Sequence, residues 1–220
     1  MTHLAFQELC YFRDTLVCDV GPWLWLKEDT GAWNGPHQEF PGLKEKIAKK
    51  TWNKRVIVQA GGNLGLYPRL WSDVFQTVYT FEPDPKNFFC LNHNCQKANI
   101  IKFNAALGEK AGTIWLNGLN NTTNVGMHKV DYKKQDNASL QVQVMTVDSL
   151  NLEHCDAIQL DVEDFEPSVL AGAIETIKRC KPIISVERGR RFEESKTILE
   201  TLGYVEYDTN VADTLFYIPK

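Results

Sequence analysis

Residues 161–166 read Asp-Val-Glu-Asp-Phe-Glu, four carboxylates within six residues, directly after the apolar run Ala157-Ile158-Gln159-Leu160. Like charges this close raise one another's pKa and can leave one carboxylate as a general base near neutral pH. Their oxygens could also hold a divalent cation. A solvated acidic loop, favoured by the N-terminus of a following helix, explains Asp164 and Glu166 well. It explains Asp161 and Glu163 less well, because they stand nearest the end of the apolar run. Asp161 and Glu163 are therefore the candidate catalytic residues, and no set of metal ligands is predicted.

Three further groups carry the types of residue a ligand needs. Gln59-Ala60-Gly61-Gly62-Asn63-Leu64-Gly65 follows the β-rich Val56-Ile57-Val58. Its glycines let the backbone turn tightly and approach a ligand closely, although a bare strand-to-helix turn would use them too. The run is neither the G-x-G-x-x-G of nicotinamide sites nor a G-K-[ST] phosphate loop. Glu82, in Phe81-Glu82-Pro83-Asp84-Pro85, ends the next β-rich run roughly twenty residues on, where an acid can accept from both hydroxyls of a ribose. Asp84-Pro85 reads as a helix cap. Asn104-Ala105-Ala106 puts small residues beside a polar one, leaving room for a flat ring such as adenine.

Other constellations are weaker. Cys90, His93 and Cys95 have an unusual spacing for zinc, sit in a predicted helix and lack a second ligand pair. His128, after Gly126-Met127, could be a base, but a solvated loop histidine is the preferred reading. Trp23, Trp25 and Trp33 could cover an acceptor pocket, with packing against the core the preferred role.

These residues need strands to end beside one another. Val56–Val58, Thr77–Phe81, Ile100–Phe103, Ala157–Leu160 and Ile183–Val186 read as strands. Helical spacing appears in Leu70, Trp71, Val74 and Phe75, and again from Pro85 in Phe88, Leu91, Cys95 and Ala98. A helix from Pro167 carries Val169, Leu170, Ala173, Ile174 and Ile177, and another over Phe192–Leu202 stops at Gly203. A short helix is expected over Leu43–Lys50. Thr113–Leu116 and Gln141–Met145 read as strands with a polar loop, Asn117–Asn137, between them. Tyr204–Tyr207 and Thr214–Ile218 read as a closing antiparallel pair. Alternation of this kind predicts an α/β fold with a mostly parallel sheet and helices on both faces. Ligands on such sheets bind outside the carboxyl ends of the strands.

The chain has 220 residues, 43% hydrophobic and 24% charged, with a net charge of −4. That suits one sizeable core and argues against a general nucleic-acid binder. The one dense basic run, Lys44, Lys46, Lys49, Lys50, Lys54 and Arg55, reads as the solvated face of a helix. The six cysteines are scattered through apolar patterns and read as reduced thiols. No apolar stretch reaches the roughly 20 residues of a membrane span. Met1-Thr2-His3-Leu4 lacks the start of a signal peptide, so the expected location is cytoplasmic, and the sequons at Asn121 and Asn137 carry no weight.

Taken jointly, the groups resemble the FkbM-like family of S-adenosylmethionine-dependent methyltransferases. The resemblance covers about residues 55–188 and rests on Gly61–Gly65, Phe81–Pro85, Asn104–Gly108, Thr146–Leu150, Asp161–Glu163, Leu170–Ala173 and Ser185–Glu187. It implies a Rossmann-like sheet of seven strands, mostly parallel with a terminal antiparallel strand. Residues 41–220 would form the methyltransferase domain, and residues 1–40 an aromatic-rich extension packed on it. The resemblance further implies S-adenosylmethionine as cofactor. The glycine loop would hold its methionine part and Glu82 its ribose, Asn104–Ala106 would lie near the adenine, and Asp161 would face the transferred methyl. Gln59, Ala60, Gly61, Gly62, Asn63, Gly65, Glu82, Pro83, Asn104, Ala105, Ala106 and Asp161 are thus the cofactor-binding candidates. Two departures stand out: Gln59 and Gly62 where the family usually has Asp and Ala, and Asp164-Phe165 where it favours Gly-Ala.

The expected reaction is O-methylation of a sugar or small hydroxylated metabolite, with a small molecule, glycans included, as partner. Ribose methylation of RNA is the first alternative. Base methylation is disfavoured because neither an Asn/Asp-Pro-Pro-Tyr/Phe nor a Pro-Cys element is present. A non-catalytic binding module is the second alternative, and Gln59 and Asp164-Phe165 favour it.

Overall fold

A computed structural model describes residues 8–13, 22–29, 36–119, 123–135, 139–209 and 212–219. The central sheet has seven strands: β3 (Val56–Ala60), β4 (Thr77–Phe81), β5 (Ile100–Phe103), β10 (Ala157–Leu160), β11 (Ile183–Glu187), β12 (Val205–Thr209) and β13 (Asp213–Tyr217). Their spatial order is β12-β13-β11-β10-β3-β4-β5. The five strands from β5 to β11 are parallel, and β13 runs antiparallel to both its neighbours. Buried on both faces, the inner strands are mostly apolar, each with a buried polar residue, Gln59, Thr80, Gln159 or Ser185.

Alternation along each strand divides the interior in two. On one face Val58, Ala60, Phe81, Ile158, Leu160, Ile184 and Val186 pack with α4 (Glu166–Ala171), α5 (Ile174–Cys180) and α6 (Phe192–Thr201). On the other, Ile57, Val78, Ala157 and Leu215 pack with α1 (Pro36–Lys50), α2 (Leu66–Trp71), α3 (Pro85–Asn94) and the two-stranded ladder of β1 (Cys10–Arg13) and β2 (Trp23–Leu26). Trp23 and Trp25 are buried there, and the indole N–H of Trp25 donates to Asp29 at 2.7 Å. Trp33 and Cys18 lie outside the described residues; the other five cysteines are free thiols.

Several expectations change. The helix expected over Leu43–Lys50 extends back to Pro36. The one expected around Leu70–Phe75 begins earlier and ends at Trp71. That from Pro85 stops at Asn94, leaving Ala98 exposed beyond it. The helix from Pro167 is two, α4 and α5, parted at Gly172-Ala173, where a Cβ on Gly172 would lie 2.0 Å from the Gly108 carbonyl oxygen. The basic run is not a plain solvated face. Lys46 pairs with Asp208 at 3.0 Å, Lys50 lies over the rings of Tyr207 and Tyr217, and Arg55 pairs with Asp156 at 2.7 Å.

The largest difference is a second sheet, ordered β6-β9-β7-β8, built from β6 (Ala106–Leu107), β7 (Gly112–Asn117), β8 (Lys129–Asp131) and β9 (Leu140–Met145). Ile114, Leu116, Val142 and Val144 tie it to the core. Among its described residues, the polar segment expected to be a loop contains the 3-10 turn Val125–Met127 and β8. Among the described residues no helix is long and apolar enough to cross a membrane.

Candidate functional site

The parallel strands end in register. Ala60 is opposite Phe81 on one side and Leu160 on the other, Leu160 is opposite Val186, and Phe81 is opposite Phe103. The next residue of each strand therefore falls in one row: Asn104, Glu82, Gly61, Asp161 and Glu187. Backbone bonds continue the ladder through it, with Gly61 and Gly62 N–H on the Phe81 carbonyl and Asp161 N–H on that of Ala60. Gly61 has φ 87°, and a Cβ on it would lie 1.8 Å from the Asp161 carbonyl oxygen. Only glycine lets the loop pass so close to the neighbouring strand.

A cavity opens along this row. Of the site candidates, Ala60, Gly61, Gly62, Asn63, Glu82, Pro83, Ala106, Asp161 and Glu163 line it. Four of the candidates do not. Gln59 is turned into the sheet, where its amide donates to the carbonyls of Ala60 and Gly61 and accepts from the Thr80 hydroxyl. Gly65 caps α2, packed against Cys95, Leu91 and Asn94. Ala105 is buried. Asn104 is exposed, its amide tied to the carbonyls of Glu82 and Pro83.

Sequence reasoning missed the opposite wall. Asn124, Val125, Gly126 and Val130 come from the 3-10 turn and β8, and Asn87 from α3. His128 is no solvated loop residue: its side chain is 7% exposed and its Nδ1 lies 2.8 Å from Asp84 Oδ2. Asp84 holds it while its other oxygen caps α3 through Lys86 N–H. Only the cap was visible in the sequence. Glu187 was detectable by the same signal as Asp161, a carboxylate closing an apolar strand.

Electrostatics set these carboxylates apart. Burial, then the nearby Asp84, pushes Glu82 up to about 8, although its two oxygens accept the backbone N–H of Asn63 at 2.7 Å and of Asp84 at 2.8 Å. Burial, with Glu187 the next cause, raises Asp161 well above the usual carboxylate range. Glu187 rises to about 7, through burial and then Glu163. Glu163 is raised by burial, against the pull of Lys129. Glu166 is not solvated, as the sequence had suggested; it is buried, and its Oε1 accepts Val162 N–H at 3.0 Å, fixing the carboxylate loop. Asp164 is ion-paired to Lys129 and Arg190 rather than solvated.

Among the described residues no three His, Cys, Asp or Glu are grouped to hold a metal ion. Cys90 and Cys95 are buried, and Cys90 Sγ faces that of Cys10 at 3.6 Å.

A profile of the methyltransferase FkbM domain matches residues 67–210. The chain belongs to this family. Among solved structures, an FkbM methyltransferase from Methylobacillus flagellatus is 18% identical with a TM-score of 0.52, over 76% of this chain and 44% of that one. The FkbM chain described here thus spans less than half the length of that relative, and the likeness concerns the fold. Two weaker matches are a protein assigned as an RNA methyltransferase from Pyrococcus horikoshii and the M. jannaschii TYW2 in complex with AdoMet. The first is 12% identical with TM-score 0.49, over 98% of this chain and 94% of that one. The second is 13% identical with TM-score 0.43, over 96% and 87%. No curated protein matches the sequence.

Proposed function

We propose that this FkbM-family chain transfers a methyl group from S-adenosylmethionine to an oxygen of a sugar or small hydroxylated metabolite. Residues 41–220 would be the catalytic domain and residues 1–40 an extension of it. The observation that carries the reading is the single row of Glu82, Gly61, Asp161 and Glu187 along one cavity. The donor set suits this cofactor. Its sulfonium and ammonium are cationic, and the cavity is lined by Glu82, Asp161, Glu163 and Glu187. Asn63 Oδ1 and Asn87 Oδ1, on residues that line the cavity, are buried acceptors with no hydrogen-bond partner among the described residues, which a ligand's N–H or O–H would satisfy. Gly61 and Gly62 are packed so closely, against the Asp161 carbonyl and the Leu91 and Thr80 side chains, that a Cβ would clash at either, and both stand on the cavity lining.

When bound, the cofactor supplies an electrophilic methyl on sulfur. The chain's residues do the rest. Glu82 uses one lone pair of each oxygen on the loop and keeps the others for ribose hydroxyls. The glycine loop leaves space for the methionine part. Asp161, raised by burial, and Glu187, brought up to about 7, stand side by side in the row, and Glu187 can take the acceptor's proton, since a base works best with a pKa near the operating pH. The row would hold acceptor and cofactor beside each other, and holding reactants in place is where much of the rate comes from.

Calorimetry with S-adenosylmethionine and S-adenosylhomocysteine tests the reading, alongside a Glu82→Ala variant. Micromolar binding is expected, weakened roughly 10- to 100-fold in the variant, as for a lost charged hydrogen-bond acceptor. Labelled methyl transfer to a panel of sugars then separates turnover from binding alone. If the intact, folded protein binds neither compound, the reading fails.

A further inference from the structure

Asp164 stands within the carboxylate loop in a left-handed conformation, φ 74°. Its carboxylate gathers donors from two separate elements. Lys129 Nζ reaches it from β8 at 2.7 Å, and from the β11–α6 connection come Arg190 N–H at 2.6 Å and Arg190 Nε at 2.9 Å. Arg190 Nη2 lies at 2.9 Å as well. The connection comes so near that a Cβ on Gly189 would sit 2.6 Å from Asp164 Oδ1. Burial works against the charge, yet the bonds from Lys129 and Arg190 outweigh it and hold Asp164 at about 2.

Such a set is an anion hole, and the chain's own carboxylate fills it. The hole opens on a recess lined by Lys129, Glu163, Asp164, Glu187, Arg188 and Arg190, which shares Glu163 and Glu187 with the main cavity. Three of these six, Lys129, Arg188 and Arg190, are cationic, whereas the lining of the main cavity has no lysine or arginine. The Arg190 side chain is 79% exposed and can follow a ligand, whereas that of Lys129 is 32% exposed.

The geometry points to an anion subsite at Lys129 and Arg190 that takes a phosphate or carboxylate carried by the methyl acceptor, with Asp164 holding its place. This rests on the cavity being a methyl-transfer site. A phosphate monoester brings up to about two negative charges to donors that now hold one, and guanidinium grips phosphate in two-point fashion. The exchange therefore favours the ligand over Asp164, and selects charged acceptors over neutral ones.

The test uses the full chain, titrated with inorganic phosphate and with acetate. The NMR signals of Gly189 N–H, Arg190 N–H and Arg190 Nε–H report binding, while S-adenosylhomocysteine binding is measured in parallel. Phosphate should shift these signals, and Asp164→Asn should bind it about tenfold tighter or better, one decade being about 1.4 kcal/mol. Lys129→Gln and Arg190→Gln should lose it. The subsite is overturned if folded Asp164→Asn gains nothing, or if both cation variants bind phosphate as the parent does. Retained S-adenosylhomocysteine binding with no phosphate response sinks the subsite alone; failure of both sinks the methyl-transfer reading. Glucose 6-phosphate and glucuronate, compared with glucose, decide between phosphate ester and carboxylate, and equal binding of all three also overturns the subsite.

Discussion

The cavity's two walls are built by different means. The strand-end wall, Gly61, Glu82, Asp161 and Glu187, is set by the register of a parallel sheet whose strands are apolar and deeply buried. The opposite wall, Asn124 to Val130, hangs on a small antiparallel sheet whose strand β8 is half-buried throughout. Among its ties to the rest of the cavity are the buried pair of His128 and Asp84, the Asn87 amide donating to the Val125 carbonyl at 3.1 Å, and Lys129 on Asp164 at 2.7 Å. Residues on the first wall cannot shift without moving a strand, while those on the second can move with a short ribbon. Rigid placement of a cofactor and adaptable contact with an acceptor are the uses each suits.

The contrast can be broken from the rigid side first. Gly61→Ala forces a Cβ against the Asp161 carbonyl at a φ of 87°. It should cost about 3 kcal/mol or more in a urea denaturation curve, as strained backbone with a steric clash does. A loss under about 1 kcal/mol, within the range of ordinary surface changes, would mean the strand ends yield more than their register suggests.

The next effect is electrostatic. With Glu82 near 8 and Glu187 near 7, the empty cavity holds protons at neutral pH. For Glu82 the ordinary value is 4.5, so its contribution to stability is intact below that pH and is lost as pH rises through about 8. A cationic cofactor reverses the preference and expels protons. Its affinity should rise between pH 6 and 8 by up to about tenfold per unit for each proton released. Calorimetry in buffers of differing ionisation heat counts the protons; uptake instead of release would contradict the assignment of the charges.

Smallest is the tie between the walls. His128→Ala should cost about 1 kcal/mol in stability. A double-mutant cycle with Asp84→Asn should show coupling of about 0.5–3 kcal/mol, the range for residues in contact. Additive losses would mean that this pair does not couple the walls.

The same contrast separates what the sequence made legible from what it did not. The sheet and its row could be read because apolar runs of four or five residues ended at glycines or acids. The pair Asp84-Pro85 announced α3 by local chemistry alone. The second wall gave no such signal. Lys129–Asp131 is a three-residue strand paired only to β7, and its polar composition reads as loop without that partner. His128 owes its burial to Asp84, 44 residues away, which no local pattern records. Gln59 was misplaced for a related reason. A polar residue beside a glycine loop invites a ligand role, yet strand alternation turns its side chain toward Thr80 and away from the cavity.

One feature of the central sheet bears on how the molecule is made. Strand β10 lies between β3 and β11, and its start is clamped to the start of β3 by Arg55 and Asp156, 101 residues apart in the chain. Parallel pairing over such a span is slow to nucleate, because the loop must close before any contact rewards it. Gly61 and Asp161 meet only after that closure, so a nascent chain that still lacks β10 has half a cavity. Ligand binding then reports completion of the whole sheet, and a saturating cofactor should protect the chain from proteolysis as one unit.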